Sequence, residues 1–237
     1  MQRIRRCGRQ THGLGIAEIV VSTDVPAAYN AVMATVEMPA PTVPKPSQPL
    51  LVPTPEGRMR FSRDTYHRLV EVGVLQEDSR VELIDGEIYM MSPIGPFHGA
   101  LVRRLMKFFV KQLPDTLECS IQLPIVAGNH SEPEPDVAIV RSRDDNYQRE
   151  HPSPTDTVLL IEVSQSSLPL DLGLKLQLYA SSGIAEYWVI NIERKTILVH
   201  RTPSGNEYRD VTIVQAGDTI APLAAPECRL DVAWLFH

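Results

Sequence analysis

Apolar residues after the first quarter of the chain change their spacing several times, and each spacing predicts a different element. Ser62 or Asp64 can cap a short helix at the start of this region. Residues 81–84 and 87–91 are apolar runs joined by an Asp-Gly pair, which tolerates the positive φ of a tight turn, so they predict a β-hairpin. Over residues 97–113, apolar residues recur every three or four positions with basic residues between them, which predicts an amphipathic helix.

Three short apolar or alternating runs bounded by Pro, Gly, Asn or Asp follow, and they predict three successive strands. The next stretch, 168–183, has leucines that alternate with a period of two, as in a strand. Its residue types nevertheless favour a helix, and Gly183 suits a helix C-terminus, so we predict a helix. Three further strands complete the pattern. The six predicted strands cover residues 117–126, 136–140, 158–163, 186–192, 196–201 and 207–214.

This order of elements predicts a mixed sheet of the α/β or α+β class with helices packed against it. The step from 158–163 to 186–192 has the length of a right-handed crossover between two parallel strands. No internal repeat is present, and 237 residues with 43% apolar side chains are enough for one globular domain with an appendage.

The first 57 residues have a different composition. They contain eight of the twenty prolines, and seven of these lie between Pro39 and Pro55, where backbone hydrogen bonding is largely prevented. We therefore predict an extended, poorly ordered arm over 1–57 and a folded domain over 58–237. Nothing in the sequence of the arm indicates chemistry.

Charge and cysteine usage exclude several classes of protein. The net charge is −6, and the arm has five basic against four acidic residues, so the predicted domain is at −7. This balance excludes a polybasic protein that binds nucleic acid by bulk attraction. Three widely spaced cysteines argue against a disulfide framework or a zinc knuckle, and no apolar run approaches about 18 residues. We expect a cytoplasmic protein without a signal peptide or a membrane association.

Several carboxylates occupy unusual positions. Glu132, Glu134 and Asp136 alternate with two prolines that favour extended backbone, so their side chains should share one face. Three acids this close need solvent or a cation, and a solvated acidic loop is the simpler interpretation of this segment alone. Glu162 lies inside an apolar run typical of a strand buried on both faces, where an acid is costly unless it is paired or binds metal.

Two more residues complete a candidate site. Glu82 lies in the predicted hairpin, where a solvent-facing strand residue is the simpler interpretation. Lys175 follows Asp171 by four residues, which an exposed helical ion pair would also explain. Together, however, an aspartate at the start of one strand, a glutamate late in the next and a nearby lysine are what metal-dependent phosphodiester hydrolysis requires. The usual phosphate-binding, dinucleotide-binding and serine-hydrolase motifs are absent.

Six motifs lie in order along residues 61–236. They are Arg80-Val-Glu-Leu-Ile-Asp-Gly-Glu, His98, Glu134-Pro-Asp-Val-Ala-Ile-Val, Leu160-Ile-Glu-Val-Ser, Asp171-x-Gly-x-Lys-x-x-x-Tyr-Ala and Gly183-Ile-x-Glu-Tyr-Trp-Val-Ile. Each motif alone is weak, but the ordered set is specific, and it resembles the Uma-type family of restriction-endonuclease-like proteins, a branch of the PD-(D/E)XK nuclease superfamily.

The resemblance implies a restriction-endonuclease-like α-β-β-β-α-β core with an added N-terminal hairpin and C-terminal strands. It implies that Asp136 and Glu162 bind the metal, that the main-chain carbonyl after Glu162 completes the site, and that Glu82, the family's upstream acid, is a further metal ligand. The simplest form of the motif has a lysine at the position of Ser164. In this family the lysine matches Lys175 on the following helix. Two further candidates are Tyr179, as an orienting hydroxyl, and, more weakly, His98.

The leading hypothesis is therefore a Mg²⁺-dependent endonuclease acting on DNA, with Mn²⁺ as a second candidate metal and a homodimer as one candidate assembly. One alternative is an inactive nuclease fold that binds nucleic acid or organises an assembly. Another is a two-carboxylate glycosidase, which leaves Lys175 without a role and lacks aromatic platforms for a sugar. The basic face of the predicted helix contacts either phosphates or solvent, and solvent is the simpler interpretation. This face consists of Arg103, Arg104, Lys107 and Lys111.

Overall fold

The computed structural model describes residues 51–53, 57, 59–76 and 78–237. The predicted arm over 1–57 therefore lies almost entirely outside the described residues. Near its end, β1 (Leu51–Pro53) pairs antiparallel with β2 (Met59–Phe61), and the sequence pattern did not predict these two strands. Helix α1 (Arg63–Glu71) follows, and the Ser62 hydroxyl caps it by accepting a hydrogen bond from the main-chain N–H of Thr65.

A six-stranded mixed sheet forms the centre of the domain, in the order β10-β9-β8-β7-β6-β5. All neighbours pair antiparallel except β7 and β8, which are parallel, as the crossover length predicted. The mixed sheet confirms the predicted fold class. Its strands are β5 (Leu117–Ile121), β6 (Val137–Arg141), β7 (Thr157–Ser164), β8 (Glu186–Asn191), β9 (Thr196–Ser204) and β10 (Glu207–Val214).

Helices cover both faces of this sheet. Helix α2 (Pro96–Gln112) precedes β5, and a helical segment between β7 and β8 forms the crossover. That segment consists of α3 (Leu168–Leu170), a π-helical turn (Asp171–Lys175) and α4 (Leu176–Ser181). The predicted helix over 168–183 is thus confirmed, and it contains a π turn that the sequence pattern did not indicate. The order α2, β5, β6, β7, helix, β8 is the predicted α-β-β-β-α-β core.

Strand β7 is buried along its whole length, and its side chains pack in two hydrophobic clusters, one on each face of the sheet. Its side chains alternate between the two faces of the sheet. Leu159 and Ile161 pack in the cluster under α2, whereas Leu160 packs in the cluster under α4. Because Glu162 has the parity of Leu160, its carboxylate is directed toward the crossover helix rather than toward α2.

The predicted hairpin, β3 (Val81–Ile84) and β4 (Glu87–Met90), forms a separate two-stranded sheet. It docks on the segment that leads into β6. The main-chain N–H of Glu132 donates to the carbonyl of Leu83 at 2.8 Å, and that of Gly86 donates to the carbonyl of His130 at 2.6 Å. These bonds hold the hairpin beside the residues that precede β6.

The C-terminal part adds a small sheet of β11 (Thr219–Ile220) and β12 (Leu230–Asp231), and then α5 (Val232–Leu235). Two predicted strand boundaries are wrong. The strand predicted over 117–126 ends at Ile121 because Gln122 has a left-handed backbone, with φ of 48°. Strand β9 extends through Ser204, so the turn comes later than predicted. Within the part of the chain that the structure describes, no helix is long and apolar enough to cross a membrane.

Acidification is expected to destabilise the fold partly through His200. This side chain is 3% exposed and stacks on Tyr187, and burial lowers the pKa of its imidazole. As the pH falls, His200 therefore takes up a proton in the unfolded chain at a higher pH than in the folded protein. The stabilisation from the neutral, buried imidazole is present above about pH 6.5 and is lost as the pH falls toward the lowered pKa. Urea titrations at about pH 7.5 and 5.5 should show a smaller loss of unfolding free energy for His200→Gln than for the wild type. Equal losses would contradict this.

Candidate active site

A cleft of about 520 Å³ opens between the β3–β4 hairpin, the start of α2 and the crossover helix. It collects most of the residues that the sequence singled out, although they come from five different elements or connections. Its polar and charged lining residues are Asp78, Ser79, Arg80, Glu82, Ser92, His98, Gln122, Glu134, Asp136, Glu162, Gln165, Ser166, Ser167, Asp171 and Lys175.

Lys175 joins two carboxylates at the base of the cleft. Its Nζ lies 2.9 Å from Glu82 Oε2 and 3.0 Å from Glu162 Oε1. All three side chains are almost fully buried, with 5%, 3% and 4% of each residue exposed. The solvent-facing alternative for Glu82 is therefore wrong. The Tyr179 hydroxyl also donates to Glu162 Oε1, at 3.1 Å, which matches the predicted orienting role in position.

The Asp136 carboxylate is held by three donors. The main-chain N–H of Val163 donates to Oδ2 at 2.8 Å, and His98 Nε2 lies 3.0 Å from the same oxygen. Gln122 Nε2 donates to Oδ1 at 3.2 Å. The main-chain N–H of Asp136 in turn donates to Glu162 Oε2 at 3.4 Å, so the two predicted ligands are neighbours across β6 and β7. An ionised carboxylate has about four lone-pair sites, so acceptor capacity remains on both side chains.

Asp171 and Ser164 form a second pair at the end of β7. The Ser164 hydroxyl donates to Asp171 Oδ2 at 2.7 Å, and both residues are buried. The π turn directs Asp171 and Lys175 inward, and each has its own partners. The alternative of an exposed helical ion pair between them is therefore wrong. Ser164 stands where the simplest motif has a lysine, and its hydroxyl contacts an acid.

The cleft holds more negative charge than Lys175 can balance. Burial lowers the pKa of Lys175, but the carboxylates of Glu162, Glu82 and Asp171 outweigh it and raise that pKa above its usual range, so the ammonium stays protonated. Burial raises the pKa of Glu162 well above the usual range and also raises that of Asp171. The pKa of Glu134 is raised by burial and by Glu82 nearby. Such a site favours uptake of protons or of a cation.

The donor set fits a hard divalent cation. Mg²⁺ prefers oxygen ligands and is commonly bound by one or two carboxylates, with water and substrate phosphate completing the shell. Asp136 and Glu162 provide two such carboxylates beside the unbalanced charge. Among the residues that the structure describes, no group of three His, Cys, Asp or Glu side chains forms a metal cluster. The fit is therefore to a two-carboxylate site rather than to a cage made of protein ligands alone.

One predicted convergence is wrong. Glu132 does not share the cleft with Glu134 and Asp136, because its carboxylate binds Arg63 Nε at 2.8 Å and His67 Nε2 at 2.9 Å. Burial acts to raise the pKa of the Glu132 carboxyl. The hydrogen bonds from His67 and Arg63 act in the opposite direction and together have the larger effect, so the pKa of Glu132 lies below its usual value. Glu132 thus ties α1 to the segment before β6, and no local pattern distinguishes it from its two neighbours.

The basic face of α2 lies outside the cleft. Arg103, Lys107 and Lys111 are exposed, and Arg104 Nη1 donates to the carbonyl of Leu235 at 2.7 Å. Gln122 also lines the cleft, and no local signal in the chain predicted it. Asp171 was expected only as part of a motif and as an ion-pair partner of Lys175. The spacing of that motif placed Asp171 and Lys175 on one helix, but their separate partners depend on the docked hairpin and on the end of β7.

Comparisons with known proteins identify the family and the fold of this chain. No curated protein matches the chain. A crystal structure of a protein from Anabaena variabilis, titled a "putative nuclease", has a TM-score of 0.59 and 18% sequence identity, and the match covers 71% of this chain and 96% of that one. This likeness shows the fold. The profile of the Uma2 family, described as "Putative restriction endonuclease", matches residues 63–233. The chain therefore belongs to the Uma2 family of the restriction-endonuclease-like fold.

Proposed function

We propose that the protein is a metal-dependent endonuclease that hydrolyses phosphodiester bonds in DNA. The observation that carries the proposal is the buried ammonium of Lys175, which lies between the buried carboxylates of Glu82 and Glu162. The carboxylate of Asp136 lies beside them in an open cleft. Family membership and the fold support a nuclease. A glycosidase remains a poorer explanation because it gives Lys175 no role.

In this proposal Asp136 and Glu162 hold Mg²⁺ or Mn²⁺, with Glu82 assisting through Lys175. When bound there, the cation would supply Lewis-acid stabilisation of charge on a phosphate oxygen. Lys175 keeps its proton, because its pKa is raised, and the N–H of Nζ that is not donated to Glu82 or Glu162 would orient the attacking water. Glu134 lines the same cleft, burial and the neighbouring Glu82 raise the pKa of its carboxyl, and we assign it as the group that accepts the proton this water loses.

Incubation with supercoiled plasmid and with circular single-stranded DNA tests the proposal. Cleavage is expected with Mg²⁺ or Mn²⁺ and should be lost with a chelator. Asp136→Ala and Glu162→Ala should both lose it, and equal cleavage by all three proteins would indicate a contaminant. Binding of DNA without cleavage under every metal condition would favour the inactive binding module.

Divalent metal is also expected to stabilise the fold. A ligand that binds only the folded state raises the free energy of unfolding by about 2.7 kcal/mol when its concentration is 100 times Kd. Thermal unfolding should therefore shift upward with Mn²⁺ in the wild type and much less in Asp136→Ala. A shift of the same size in both proteins would place the bound metal elsewhere.

A further inference from the structure

Gln122 has an unusual backbone at an informative place. It follows β5 directly, and its φ of 48° lies in the left-handed region, which Gly and Asn adopt far more readily than glutamine. The backbone preference of glutamine therefore does not explain why this residue type occupies the position. Left-handed residues with a β-carbon often occur where the surrounding structure or a functional site holds them.

The contacts of the side chain supply an explanation. Gln122 Nε2 donates to Asp136 Oδ1 at 3.2 Å, and its main-chain N–H donates to the carbonyl of Asp136 at 3.3 Å. Both donors therefore act on one residue. Asp136 Oδ2 is held independently, by the N–H of Val163 and by His98. Among the residues that the structure describes, the side chain of Gln122 is the one that donates to the other carboxylate oxygen.

We propose that Gln122 is a positioning residue for the metal site, which orients the plane of the Asp136 carboxylate. This inference rests on the proposed function, in which Asp136 binds the cation. Hydrogen bonds from outside the coordination sphere typically orient metal-binding carboxylates, and their loss costs on the order of 10–100-fold in metal affinity.

Gln122→Gly separates this role from a purely structural one. Glycine accepts the left-handed backbone, so the variant should unfold at an unchanged or higher temperature while it loses the amide donor. We expect its Mn²⁺ affinity, measured by isothermal titration calorimetry, to fall on the order of 10–100-fold. Cleavage should recover at saturating Mn²⁺, because the loss lies in metal binding. The matched control is Lys195→Gly, an exposed left-handed position with φ of 51° outside the cleft, which should leave Mn²⁺ affinity unchanged.

A second variant, Gln122→Met, allows the same test if Gln122→Gly does not fold. Gln122→Met keeps the length of the side chain without its donor and should show the same loss of affinity. Wild-type Mn²⁺ affinity in either folded variant would overturn the role of Gln122 and leave the proposed function intact. Absence of Mn²⁺ binding by the wild-type protein would instead overturn the proposed metal site, and the inference with it.

Discussion

Lys175→Met is expected to abolish cleavage and to lower the free energy of unfolding by about 3–5 kcal/mol. The ammonium lies within 3.0 Å of two carboxylates that are each less than 5% exposed, so its removal leaves two buried acids without a counter-charge. Urea unfolding at neutral pH measures the loss. Lys111→Met, on the exposed face of α2, is the matched control and should change neither property.

The cause of this loss can be tested by neutralising one of the acids. Adding Glu162→Gln to Lys175→Met removes one unpaired charge, so the double variant should recover part of the lost free energy of unfolding without regaining cleavage. A double-mutant cycle on the free energy of unfolding measures this recovery. The single variant should also become more stable as the pH falls, because a buried carboxyl with a raised pKa takes up its proton before the same group does in the unfolded chain. Wild-type stability in Lys175→Met would show that the ammonium does not balance these acids.

Asp136→Asn is expected to lower cleavage by about 10³-fold or more without lowering stability. Loss of an ionised metal ligand removes several kcal/mol of transition-state stabilisation, and about 4 kcal/mol corresponds to three powers of ten in rate. The amide oxygen can take the place of Oδ2 and accept from the N–H of Val163 and from His98 Nε2, so the substitution keeps two of the three hydrogen bonds now made to the carboxylate. It also removes one negative charge from a site with an excess of them.

Single-turnover cleavage, together with thermal unfolding, measures both effects. The exposed residue Asp144 provides the matched control, since Asp144→Asn removes the same charge outside the cleft and should cleave at the wild-type rate. Cleavage by Asp136→Asn within tenfold of the wild-type rate would remove Asp136 from the proposed mechanism. A large fall in its unfolding temperature would show that the aspartate serves the fold instead.

Much of the fold could be predicted because its signals are local. The Asp85-Gly86 turn requires positive φ at both residues, with values of 49° and 78° in the structure, so two residue types identified the hairpin. The apolar periods of α2 and β7 each reflect the faces that those elements bury. The composition of 168–183 likewise predicted a helix correctly against its misleading period of two.

Other features depended on how distant segments dock. Glu132 and Glu134 both stand in the same Glu-Pro repeat, yet Glu132 binds Arg63 of α1 and Glu134 lines the cleft, because distant segments dock on the two residues differently. A left-handed residue at 122 ended β5 early, and no propensity of glutamine indicates that conformation.

The sequence by itself determined the order of the core elements, the parallel crossover and the residues available for chemistry. Propensity and periodicity are properties of neighbouring residues, so one chain is enough to reveal them. Only the tertiary structure decided which acids pair with Lys175 and which donors hold the Asp136 carboxylate. It also decided that Glu132 pairs with Arg63 of α1 rather than lining the cleft. Those pairings join segments far apart in the chain, and they form only when packing brings the hairpin, the sheet and the crossover helix together.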